Sequence, residues 1–221
     1  MDEQPILELT DYLKYFGFNL YELDECVILI ESIAKHSSEL NKTGHKLAFG
    51  SIQSILYIHS MLNLSKLFDK PNARYPTVSI LSIISMLKSP DLHTPGNVQK
   101  CLSMIKEYKI TIPENDIKSI DLLINHFTLL VEEKTGIIDK IKKNRDKVIA
   151  HNEAIELEDL DSITWSELLD LKSLAEEFSN CIGYCFCGKI YSYGRPFSDI
   201  GFLQLSIDTL IETALDPEIN K

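Results

Sequence analysis

Arg145 and His151, six positions apart, are the residues in this chain best suited to phosphoryl chemistry. They frame the stretch Arg145-Asp146-Lys147-Val148-Ile149-Ala150-His151. Arginine brings a fixed charge and forked donors to an anion, and histidine carries a proton near neutral pH. Together they can hold a phosphate and move a proton beside it without a metal. Lys140, Lys142, Lys143, Arg145 and Lys147, set against Asp139 and Asp146, make this the most basic segment of the chain. Such a run is ordinarily a solvated helix face, yet it also has the footprint a nucleic-acid phosphate needs. Lys143 and Lys147 are the candidates for backbone contacts, and Asn144 and Asn152 for further hydrogen bonds.

These residues need an element to position them, and the pattern supplies a long helix from about residue 114 to 150. Steps of three and four pass Ile117, Ile120, Ile124, Phe127, Val131, Lys134, Ile138, Ile141, Arg145 and Val148. Eight of the ten are apolar, which marks a packing face. Arg145 interrupts that face, as Lys134 does with no function attached. A charge there must be paired, functional, or reaching for water along its own stem. On an ideal helix His151 lies roughly 120° around from Arg145. A site on one regular helix is therefore not expected. The two side chains can converge where the helix ends, or where a second copy contributes one of them. The plainer alternative makes His151 a helix cap. Gly136 is expected to bend or split the helix.

The rest of the chain also reads as helix. Expected pieces are Ile6–Phe16 closed by Gly17, Leu20–Leu40, Leu47–Asp69, a segment from Pro76 through Leu87, Val98–Tyr108, one from Thr164 to about Tyr191, and Ser198–Ala214. For residues 78–87, rich in valine and isoleucine, a strand is the second choice. Ser89-Pro90 and Pro95-Gly96 bracket an expected loop. Five acids among residues 153–161 read as a solvated connector. Thr164-Trp165-Ser166-Glu167 carries a helix-start signature. One helical domain over 1–221 is expected.

Of 221 residues, 44% are hydrophobic and 25% charged, an ordinary globular balance. The net charge of −11 argues against a general nucleic-acid coat protein and leaves room for one local basic patch. No apolar run is long enough to span a bilayer. The acidic start lacks the form of a secretory signal, so a cytoplasmic location is expected. Five cysteines cannot all pair within the chain. Cys181, Cys185 and Cys187 lack the spacing of a zinc site, and core packing is their expected role.

Arg145-Asp146-x4-His151 at the end of a long helix resembles the signature of the HEPN superfamily. The stretch Lys143–Asn152, together with Met61-Leu62-Asn63-Leu64-Ser65-Lys66-Leu67-Phe68-Asp69, is similar to the AbiU-like branch linked to abortive infection in bacteria. Residues 46–155 are the best-matched core. The resemblance implies an all-α, up-and-down helical bundle with extra helices, and a homodimer whose two signatures face one cleft. Active members are metal-independent endoribonucleases, often toxins or phage-defence effectors, and can have an antitoxin partner. Inactive members bind nucleotides or act as protein-interaction modules. The implied chemistry is RNA cleavage by attack of the 2′-hydroxyl, with Arg145, His151 and Asp146 catalytic and no cofactor. Some members are neutralised at a tyrosine two residues after the histidine, and here that place is Glu153.

Overall fold

Leu9, Leu13, Phe16, Leu20, Leu23, Val27 and Ile30 are spaced three and four apart, and one uninterrupted helix uses them all. The computed structural model describes residues 4–72, 74, 76–111, 119–150, 161–188 and 197–215, with backbone alone at 148–150 and 197–204. Helix α1, Gln4–Lys35, presents that whole stripe to the core. The expected break at Gly17 is absent. A glycine in a helix costs about 1 kcal/mol, whereas each large apolar side chain buried on either side contributes roughly 1.5–3 kcal/mol. The continuous stripe wins.

After the short α2, Ser37–Leu40, helix α3 runs Lys46–Leu67. Its first half leaves Leu47, Ile52 and Ile55 exposed, and its second half buries Met61, Asn63, Leu64 and Leu67. Ser79 caps α4, Ile80–Leu87, by accepting from the Ser82 amide, so the valine- and isoleucine-rich segment is helical. Pro95 and Gly96, expected in a loop, are instead the first residues of α5, Pro95–Glu107. Thr94 caps that helix, and proline suits its first turn because the amide it lacks would have no partner there.

The expected long helix is two: α6, Ser119–Glu133, and α7, Thr135–Ala150. The break falls at Lys134, two residues before Gly136. Lys134 leaves the packing face for solvent and pairs with Asp170 at 3.2 Å. Beyond the break the stripe resumes, with Ile138 and Ile141 buried. Ile117 lies outside the described residues.

The expected helix start at Thr164-Trp165-Ser166-Glu167 opens α8, Trp165–Ile182, where Thr164 is the cap and forms a capping box with Glu167. The chain then makes one wide π turn, Gly183–Cys187, closed by Gly188 at φ 63°. Helix α9 is Phe197–Leu215. Cys101, Cys181 and Cys185 are fully buried, and Cys187 is half-buried beside Thr10. A hydrogen bond to Cys185, then burial, pushes the Cys101 thiol far above its ordinary range.

The fold is all-α, with no strand among the described residues. Helix α1 packs along α3 and also meets α8 and α9, α3 packs on α7, and α5 on α6. One apolar core joins α1 and α3–α8, and Lys172 of α8 ties to Asp24 of α1 at 2.9 Å. This framework brings the end of α3 against the middle of α7.

Candidate functional site

Arg145 projects from α7 toward the end of α3. There one guanidinium nitrogen binds both carboxylate oxygens of Asp69, at 2.9 and 2.8 Å. Nε and the other terminal nitrogen each bind Asp146 at 2.9 Å. The side chain is 22% exposed. Partial burial works against its charge, and the hydrogen bonds to Asp69 and then Asp146 more than offset that, raising its pKa above the ordinary arginine value. Arg145 is therefore fixed in direction as well as in charge. This accounts for its place on the packing stripe: the stem follows Ile141 inward, and the head ends on a carboxylate.

The cleft beside it has a volume of about 390 Å³ and is lined by Asp69, Lys70, Asn72, Thr77, Asp139, Lys142 and Arg145. Burial pulls the Lys142 ammonium below the usual lysine value, against the attraction of Asp69 and Asp139. Three cations and two carboxylates thus surround a space open to solvent. Such a site can take an anion if Arg145 exchanges part of its hold on Asp69.

The basic run divides between two faces of α7. Lys142 and Arg145 face this cleft. Lys143 instead binds the Asp161 carboxylate at 2.9 Å and is 61% exposed, and Lys140 lies 3.8 Å from Glu167. The hydrogen bond from Lys143 holds the Asp161 carboxyl below its usual range, with Lys147 and Lys140 adding to the effect.

Asn144, expected to meet a nucleic acid, is only 1% exposed. Its amide donates to the Asp161 carbonyl at 2.9 Å, and its oxygen accepts from the Asp161 amide at 2.8 Å. Both ends are used, so Asn144 is a clamp on the chain before α8. Tyr57 helps by donating to the Ile163 carbonyl at 2.7 Å. His151, Asn152 and Glu153 lie outside the described residues; the described part of α7 ends at Ala150, immediately before them.

Asp69, Lys70 and Lys142 were not singled out from the sequence. One signal was available. Asp69 closes the segment Met61–Asp69, one of the two segments that carried the resemblance, and those two segments meet at the Asp69–Arg145 pair. Among the described residues no group of three or more histidine, cysteine, aspartate or glutamate side chains could hold a metal ion, and no helix is long and apolar enough to cross a membrane.

An all-helical fold, with no strand among the described residues, fits the HEPN class. The chain belongs to the HEPN_AbiU2 family, described as AbiU2, whose model matches residues 6–197. Comparison with curated proteins and with solved structures gave no match.

Proposed function

We propose that this protein is an endoribonuclease that cleaves RNA by internal transesterification, acting as an abortive-infection effector. The observation that carries this reading is Arg145, held by Asp69 and Asp146 at the edge of an open, cation-lined cleft. An RNA phosphate in the cleft takes over part of the Arg145 hold on Asp69, while the bonds to Asp146 keep the guanidinium oriented. The ribose 2′-hydroxyl attacks phosphorus, the 5′-oxygen of the next nucleotide leaves, and a 2′,3′-cyclic phosphate remains. His151 moves the proton, a role worth on the order of 10²–10⁴ in rate. Asp146, bonded to Arg145 at 2.9 Å, orients it. Lys142 replaces Asn144 among the phosphate contacts. Lys143 and Lys147 stay as backbone contacts outside the cleft, and Asn152 as a further hydrogen-bond partner. The site is composite, formed where two copies meet.

A second reading has its own support. Arg145 already has two carboxylate partners, as a purely structural arginine would, and this favours a non-catalytic module that binds a nucleotide or a protein. Incubating the purified protein with mixed RNA in EDTA separates the two. The endoribonuclease gives products ending in cyclic phosphate, and Arg145→Ala and His151→Ala each abolish them. Asp69→Asn leaves cleavage detectable but weakened, because the guanidinium keeps Asp146 and loses its other carboxylate. No cleavage by the unaltered protein, or cleavage untouched by the two alanine changes, overturns the first reading and leaves the second.

A further inference from the structure

Helix α1 carries two large rings on its outer side next to the Arg145 cleft. Tyr15 and Phe18 are 66% and 60% exposed, while Leu13, Phe16 and Leu20 between and beside them are fully buried. Positions three apart on a helix lie on one face. A hollow of about 270 Å³ runs from these rings to Asp69 and Thr77, and both of those residues also line the Arg145 cleft. The rings and the phosphate site therefore share a wall.

We propose that Tyr15 and Phe18 are a base-stacking platform for the single-stranded RNA whose phosphate sits at Arg145. This rests on the RNA reading of that cleft. Every nucleobase has a flat π face, so stacking on exposed aromatic rings binds single strands with little regard to sequence. Flat exposed rings with lysines beside them suit a nucleotide better than a protein face. Lys66 lines the inner hollow, and Lys14, paired with Asp11 at 2.8 Å, lines a second hollow on the far side of the rings. A strand lying from the rings to Arg145 keeps ammonium groups within reach of its backbone while its bases cover apolar surface. The platform adds affinity and fixes which phosphate meets Arg145. Tyr15 and Phe18 take no part in the bond-breaking step.

The test compares two probes by fluorescence anisotropy: a 2′-O-methyl oligouridine of about eight nucleotides, within the usual span of single-strand sites, and an abasic sugar–phosphate strand of the same length. Neither depends on cleavage. The unaltered protein is expected to bind the base-bearing strand roughly tenfold more tightly. That preference disappears in the Tyr15→Ala/Phe18→Ala variant and survives in Tyr15→Phe. Arg145→Ala weakens both probes together. A preference that persists in the double alanine variant overturns the platform and leaves the Arg145 reading standing. If the double variant also shifts the oligomeric state in light scattering while the preference persists, the face is a protein contact instead. If the unaltered protein binds neither strand, the RNA reading itself falls and takes the platform with it.

Discussion

Arg145 and Asn144 are neighbours in the chain with opposite tasks. The guanidinium is held by two carboxylates at the edge of the cleft, whereas the Asn144 amide spends both ends on the backbone of Asp161. A polar side chain so deeply buried is costly to remove, because its partners stay behind without replacements. Asn144→Ala is expected to destabilise the fold by about 1–3 kcal/mol, measured by urea unfolding, with the loss in the midpoint and little change in slope. Lys143→Ala, by contrast, removes an exposed ion pair and should cost well under 1 kcal/mol. A large effect at Lys143 and none at Asn144 would reverse the roles assigned to them. The sequence marked Arg145 as unusual because it broke a stripe. It did not reveal Asp69, which is 76 residues away in the chain and whose pairing depends on how α3 meets α7.

Helices α6 and α7 show what periodicity conveys and what it misses. The stripe correctly located the buried face on both sides of the break, from Ile120 through Ile141. It could not place the break, because a break that leaves the stripe in phase leaves no mark in the pattern. Glycine was the visible suspect, but the helix ends one turn at Lys134, which gains Asp170 outside the core. Gly136 sits within the first turn of α7 with nothing within 4 Å of where a Cβ would stand. Gly136→Ala is therefore expected to stabilise the protein by about 0.5–1 kcal/mol, read as a higher urea midpoint. A loss of that size would show that the glycine conformation is required. Gly17 teaches the same lesson on α1. The tie between α1 and α8 has its own pH signature. Burial lowers the Lys172 pKa, but hydrogen bonds to Glu176 and Asp24 outweigh it, so the folded value lies above the ordinary 10.5. Its stabilising contribution is whole below the unfolded pKa and is lost as pH rises through the folded one. Thermal unfolding should show stability falling above about pH 10.5, and Lys172→Met should flatten that alkaline limb.

At the scale of the molecule, an overall charge of −11 and a cation-lined cleft are compatible because Lys142 and Arg145 of α7 and Lys70 beyond α3 are gathered at one place. The composite-site proposal has a decisive test. Mix Arg145→Ala with His151→Ala protein and let subunits exchange. If each site takes Arg145 from one copy and His151 from the other, every mixed dimer regains one intact site of two. Random mixing makes half the dimers mixed, so about a quarter of the unaltered protein's activity should return. A site built within one copy returns nothing.

The clamp at Asn144 has one more consequence for the whole chain. Residue 150 ends α7, and Asp161 is pinned back onto that same helix, six residues before its end. The described residues on either side of 151–160 are therefore held at the same helix. Neither anchor depends on how many residues join them, and doubling the length of such a closed span costs only about 0.6 kcal/mol. A longer or shorter connection between these two anchors therefore leaves the Asp69–Arg145 pair and the Asn144 clamp where they are. Evolution could lengthen or rewrite that span to change what surrounds His151 while leaving Arg145 and its carboxylates in place.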